Sequence, residues 1–382
     1  MAPCRLPLLC LCLAALLARP GRPAVSDDDA VYAFFYSWYG NPDVDGEWRH
    51  WNHTVLQHWD PGVARAWPPP TAFEPPGDAG ATFHPSRGWY SSRDDAVLDD
   101  QMRDLVRSNV RVVVASWWGR PDVPDAMDGQ GVRTDDAVRH LVDAGRRAGL
   151  RVAFHSEPYP SRTVDSVRRD IDYLHEQYKD GSDARRMTIF VYDSYQIAEG
   201  DWARLLRPGG DLSIRGTRVD ADVIGLAVDR HHLRELRDAG FDGVYTYFAS
   251  DGATYGSTWS NWADIRRFTE AHGLAFVACV APGYDDTRIR PWNGAATRPR
   301  QNGRYYERSW HAAMAARPDA IAVTSYNEFG EGTQIEPCSP FTTTSGAALL
   351  DYSPGDPDLY LRLTAAFAAE YVAQRQQARA EL

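Results

Sequence analysis

Two carboxylates three residues apart, Glu328 and Glu331, stand in the run Ser325-Tyr326-Asn327-Glu328-Phe329-Gly330-Glu331-Gly332, directly after the apolar stretch Ile321-Ala322-Val323. Such a pair suits hydrolysis of a glycosidic bond, in which one carboxyl protonates the departing oxygen and the other acts as base or nucleophile near the anomeric carbon. Gly330 and Gly332 allow a tight turn after a strand, which can aim both side chains into one cleft. On a helix the same spacing is a solvated face, so the place of the pair at a strand end carries the reading.

The elements that must deliver this pair are legible as eight apolar runs: Val31 to Tyr39, Val110 to Trp118, Arg151 to Tyr159, Met187 to Tyr195, Asp222 to Val228, Gly243 to Ser250, Leu274 to Tyr284 and Ile321 to Glu328. Segments with helical spacing lie between them: 94–108, 135–148, 164–178, 259–272 and 303–316, with a closing helix over 356–377. Glycines at 149, 240 and 273 stop a helix just before the next run. Eight strand-helix repeats predict an α/β fold, a single (β/α)8 TIM barrel with long loops after strands 1 and 7, over 41–90 and 281–302. No Gly-x-Gly-x-x-Gly follows the first strand, which weakens a dinucleotide-binding sheet.

In a barrel the strand ends converge on one bowl, and here they are polar or aromatic. Tyr36, Trp38 and Tyr39 come from the first strand, Trp117 and Trp118 from the second, His155 and Glu157 from the third, Tyr192, Asp193 and Tyr195 from the fourth, and Tyr245 and Tyr247 from the sixth. Asn327, Glu328 and Glu331 close the ring. Barrel interiors are apolar, so acids at strand ends are costly unless they work.

Composition narrows the partner. The 382-residue chain has a formal charge of -11 and no basic block, which argues against nucleic acid. Its 13 Trp and 19 Tyr, many beside Asp, Glu, His or Asn, suit sugars, whose C–H faces stack on rings while polar groups take the hydroxyls. Residues 1–25 read as a signal peptide or short signal anchor. The apolar stretch from Leu6 to Ala18 is shorter than the roughly 18 to 20 residues needed to span a bilayer, which favours cleavage. The catalytic domain is then 26–382, in the secretory pathway. Cys279 and Cys338 remain in the mature chain, either paired or as buried free thiols. Asn52-His53-Thr54 is the single N-glycosylation sequon. Glu47-Trp48-Arg49-His50 is one E-x-x-H, where a di-iron site requires two on helices, so no metal or cofactor is expected.

From Val31 to about Tyr371 the sequence resembles the endo-α-1,2-mannosidases of glycoside hydrolase family ninety-nine. The matching blocks include FYSWYGNP (35–42), HWNH (50–53), FHSEPY (154–159), VYDSY (191–195), GFDGVYTYFAS (240–250), PGYDDTRIRPWN (282–293) and TSYNEFGEGTQIE (324–336). The resemblance implies retaining, endo-acting cleavage of α-1,2-mannosidic bonds in glucosylated high-mannose N-glycans, in the Golgi or after secretion, by a monomer. It implies that Glu328 deprotonates the sugar's own 2-hydroxyl, giving a 1,2-anhydro sugar, and that Glu331 is the acid/base. It implies further that Trp117 walls the subsite before the cut mannose and that Tyr36, His155, Glu157, Tyr195, Tyr247 and Asn327 contact sugars. The chain departs from the family where Phe329-Gly330 replaces a usual Trp-His, and where Trp118-Gly119 replaces a common Tyr-Pro. These departures bear on which glycan fits. A lectin-like protein without turnover and an endo-mannanase on another α-mannoside remain the alternatives.

Overall fold

Each apolar run forms a strand, and strands adjacent in sequence pair in parallel: β1 Val31–Phe35, β2 Val112–Trp117, β3 Arg151–Ser156, β4 Met187–Val191, β5 Ala221–Leu226, β6 Gly243–Tyr245, β7 Ala275–Val280 and β8 Ala320–Val323. β8 returns to β1, with Ala33 opposite Val323, and closes an eight-stranded barrel. This is a (β/α)8 barrel. The computed structural model describes residues 30–381 other than 68 and 70, so the leader expected over 1–25 lies outside the described residues.

Side chains alternate between two apolar compartments, as they must in a strand buried on both faces. Tyr32, Phe34, Val112, Val114, Ala153, Phe190, Ile224, Tyr245 and Val277 fill the barrel. Val31, Ala33, Phe35, Val113, Ala115, Phe154 and Val223 face the helices. Rings form much of the plug: Phe190 packs edge-on against Phe34 at 5.6 Å and Tyr245 at 5.2 Å. Cys279 lies in the inner compartment and Cys338 in the outer, and both are buried free thiols.

Six helices follow their expected positions, α3 Asp95–Arg107, α4 Asp135–Arg147, α5 Val164–Tyr178, α8 Trp262–His272, α9 Arg304–Ala316 and α10 Leu359–Ala380, and four were not expected: α1 Pro42–Asp45 and α2 Pro61–Ala64 within the β1 loop, α6 Glu199–Leu206 and α7 His232–Ala239. Asp94 caps α3 by accepting from the amides of Ala96 and Val97, and Thr163 with Ser166 makes a reciprocal capping box on α5. Helices α6 and α7 have eight residues each, too short for the repeating stripe that marks the others. Among the described residues no helix is long and apolar enough to cross a membrane.

The strands are shorter than the apolar runs. Past Val323 the amide of Thr324 still bonds Val280 O, at 2.8 Å, but the amide of Ser325 turns to Thr333 O, at 3.0 Å, before Tyr326 ties back to Phe34 O of β1 at 2.8 Å. Glu328 therefore sits in a folded loop above the barrel. Tyr36, Trp118, Glu157, Tyr192 and Tyr247 likewise follow their strands rather than end them.

Candidate active site

The β8 loop makes a compact turn around its own carboxylate. The amide of Glu328 donates to Ser325 Oγ at 2.8 Å, and that of Thr333 donates to Glu328 O at 3.2 Å. Gly332 adopts φ +61°, and a Cβ there would stand 2.8 Å from Asp285 O, so glycine is required on both counts. Arg300 ties the outgoing chain by donating to Gly332 O at 2.9 Å and Gln334 O at 2.7 Å. The Glu328 side chain folds back over this turn and accepts from the amide of Glu331 at 3.1 Å through Oε1. A Cβ at Gly330 would lie 2.8 Å from that oxygen. The other oxygen, Oε2, is buried with no hydrogen-bond partner. An unpartnered carboxylate oxygen is costly in a folded protein, and facing a cleft it is free to accept from a ligand.

Arg290, from the long β7 loop, pairs with Glu331 Oε1 at 3.1 Å and Asp286 Oδ2 at 3.0 Å. Asp286 is fully buried and also accepts from Tyr284 OH at 2.8 Å and Asn293 Nδ2 at 2.9 Å, so the guanidinium is fixed from behind. Burial, then the charge of Glu331, pushes Glu328 well above the usual carboxylate range. Burial also raises Glu331, and Arg290 opposes the rise. Two neighbouring acids in one cleft hold a proton between them to higher pH than either would alone.

The remaining walls enclose a cleft of about 220 Å³. His155 is clamped, with its Nδ1 2.8 Å from Glu157 Oε1 and its Nε2 2.8 Å from Tyr245 OH. Glu157 also accepts from Ser116 Oγ at 2.7 Å. Tyr36 and Tyr247 meet through their hydroxyls, and Tyr247 holds a positive φ of 42°. Trp38 stacks on His50 at 4.1 Å, and His50 is bonded to Asp128. Burial, with His50 alongside, pushes the His53 imidazole down to about 4, so the ring is neutral at pH 7. Trp118, Pro158, Tyr192 and Ile289 complete the lining.

The model of glycosyl hydrolase family 99 matches residues 26–373. The chain belongs to glycosyl hydrolase family 99. It is 41% identical over 354 residues to a rat protein named glycoprotein endo-alpha-1,2-mannosidase, covering 90% of this chain and 75% of that one. It is 40% identical to a human glycoprotein endo-alpha-1,2-mannosidase-like protein, covering 91% and 77%. A solved family 99 endo-alpha-mannosidase from Bacteroides thetaiotaomicron superposes with a TM-score of 0.82 at 37% identity, covering 91% of this chain and 98% of that one.

Within this family 99 chain the structure gathers Tyr36, His155, Glu157, Tyr247, Glu328 and Glu331 around one cleft. Three expected contacts lie elsewhere. Trp117 is fully buried among the helices, where its Nε1 donates to Asp135 Oδ1 at 2.8 Å, and the adjacent Trp118 faces the cleft instead. Tyr195 is turned outward after a left-handed Asp193 and stacks on His232 at 4.9 Å. Asn327 is fully buried: its amide oxygen accepts from Tyr36 N at 2.8 Å, and its Nδ2 donates to Tyr36 O at 2.9 Å and Tyr90 OH at 3.3 Å, leaving nothing for a sugar. Asn327 therefore positions Tyr36 and Glu328. Glu47 of the E-x-x-H is exposed and bonds Arg49, apart from the buried His50.

Among the lining residues not singled out as sugar contacts, Arg290, His50, His53 and Ile289 come from the two long loops, whose length was their one signal. The reassignment of Trp117 has a direct check. Trp117→Phe is expected to lower unfolding free energy by roughly 1 kcal/mol, from the lost bond to Asp135, while KM stays unchanged. A raised KM with unaltered stability would restore Trp117 to the cleft.

Proposed function

We propose that this family 99 hydrolase is a retaining endo-α-1,2-mannosidase acting on glucosylated high-mannose N-glycans, by participation of the sugar's 2-hydroxyl. The observation that carries the mechanism is the buried, unpartnered Oε2 of Glu328, beside a second carboxyl in the same cleft. The names of the rat and human relatives support the substrate class.

Before a sugar binds, Arg290 favours the ionised form of Glu331, so the shared proton rests mainly on Glu328. A bound mannoside reverses this. Its 2-hydroxyl donates to Glu328 Oε2 and favours the carboxylate there, while the glycosidic oxygen accepts from a protonated Glu331. Glu328 then takes the 2-hydroxyl proton as that oxygen attacks the anomeric carbon, and the bond to the leaving sugar breaks as Glu331 protonates it. Water, deprotonated by Glu331, opens the 1,2-anhydro sugar, and the 2-oxygen recovers its proton from Glu328. Two inversions at the same carbon give net retention.

Incubation with glucosylated N-glycans and, separately, with α-1,2-mannan tests the reading. The expected products are Glc1–3Man oligosaccharides from the former, retaining their anomeric configuration in early NMR spectra. Products from mannan alone would support the mannanase alternative, and binding without products the lectin-like one. Entry to the secretory pathway, residence in the Golgi and a monomeric state belong to the same proposal.

Arg290 offers a separate check. Its charge lowers both carboxyls, so Arg290→Gln is expected to raise both and move both limbs of the kcat/KM profile to higher pH, by about one unit. An unshifted profile would show that Arg290 does not set the protonation of the pair.

A further inference from the structure

Beside the cleft, and sharing His50 with it, lies a second pocket of about 630 Å³. The β1 loop brings Trp48, Arg49 and Asn52 to one side, and the loop after β2 with the first turn of α4 brings Gln130, Arg133 and Asp136 to the other. None of these has a part in the chemistry proposed above. Their composition repeats that of the cleft, with a half-buried indole among polar groups, a mixture that offers an apolar face and hydrogen bonds to one ligand.

The pocket is preformed. Gly40 and Arg49 exchange two backbone hydrogen bonds of 3.1 Å, and the amide of Thr54 donates to Gln130 Oε1 at 2.9 Å, joining the two loops. Arg93 stands 3.6 Å from Asp45 and 3.1 Å from Asp136. His50, the shared wall, holds a φ of 58°, a conformation that persists for a non-glycine residue only where its surroundings over-determine it. Here Trp38 on its face and Asp128 at its edge do so.

We infer that this pocket is a secondary saccharide-binding site, which takes hexose units of the substrate beyond those held in the cleft. The inference rests on the glycosidase reading. A cleft of about 220 Å³ is smaller than the roughly 300 to 1,000 Å³ of ordinary ligand pockets, so it suits only the sugars flanking the cut bond. A chain cut internally runs on, and the pocket continues the wall of the cleft past His50 with Trp48 for a C–H face and Arg49, Gln130 and Asp136 for hydroxyls. Exposed Asn52, in the sequon, stands on the rim, so a glycan attached there would compete for the same space.

The test uses full-length protein from a host that adds no N-glycans. Initial rates are measured on a minimal α-1,2-mannoside and on oligosaccharides lengthened by one, two and three hexoses at either end. The expected result is a kcat/KM that rises with length in the wild type. Trp48→Ala is expected to lose about fivefold on the longest substrate, mainly through KM, and to stay within about twofold of wild type on the shortest. Asp136→Ala, an exposed change with little bearing on folding, is expected to follow the same pattern. A flat length dependence in the wild type, or equal losses on short and long substrates in both variants, overturns the inference. If no substrate is cleaved, the glycosidase reading fails by itself. Calorimetric affinity for the longest oligosaccharide, wild type against Trp48→Ala, then decides the pocket.

Discussion

Glu328→Gln is expected to lower kcat/KM by about a thousandfold or more on every substrate, because it removes the base proposed to take the 2-hydroxyl proton. Glu331→Gln is expected to lose as much on a natural glycan and to recover most of its first-step rate on an aryl mannoside whose leaving group needs no proton. Initial rates on the two substrate types separate the roles, and rescue of the Glu328 variant by the aryl substrate would exchange them. The two residues should also differ from ordinary surface acids in stability. The folded-state pKa of Glu328 lies above its ordinary 4.5, so its ionisation costs stability, with no cost below about pH 4.5 and the full cost above the folded value. Glu328→Gln removes that cost. Its Tm is therefore expected to exceed wild type at pH 8 and to match it at pH 4.

The largest loss of stability is expected beneath the active site, at Arg87. This half-buried guanidinium from the β1 loop lies 2.7 Å from Asp104 on α3 and 3.2 Å from Glu336 of the β8 loop, both fully enclosed. Tyr326 OH adds a bond of 2.9 Å to Asp104, and Tyr90 OH one of 2.8 Å to Glu336. Burial pushes the Glu336 carboxyl up to about 7 even with Arg87 in place. Arg87→Met leaves Glu336 without a cation and Asp104 with Arg107 alone, and is expected to cost about 3 kcal/mol at pH 8. At pH 5 protonation relieves Glu336, so the loss should be smaller there. Denaturant titrations at the two pH values check this, and equal losses would show that the pair acts through packing alone. Tyr90 also supports Asn327, so kcat should fall in the protein that remains folded.

How much of this was readable from sequence depended on how local each arrangement is. The β8 turn was legible because Ser325, Gly330, Gly332 and the two acids lie within eight residues and hold one another. The barrel was legible because each strand has an apolar centre and each intervening helix is long enough to show its stripe, except α6 and α7. Trp117 was misplaced for a specific reason. In β2 the run Val112-Val113-Val114-Ala115 is apolar on both faces, so it carries no sign of parity, and a one-residue error turns every side chain to the other compartment. Ser116 faces inward, where it bonds Glu157, and Trp117 must then face out. Tyr195 was misplaced because β4 ends at Val191 and the left-handed Asp193 redirects the chain. Arg290, His50 and His53 belong to long loops whose course is set by contacts far away in sequence, such as His50 with Asp128, and no local pattern announces those.

The reciprocal bonds between Asn327 and Tyr36 join the end of β8 to the end of β1, and Tyr39 OH adds a bond of 2.9 Å to Asn327 O. The proposed catalytic pair is thus mounted on the seam of the barrel, where the first strand made by the ribosome meets the last. A growing polypeptide that has completed seven strands has most of the rings that line the cleft and neither Glu328 nor Glu331. Competence for hydrolysis arrives in one step, when the final strand docks and draws the two ends of the sequence together.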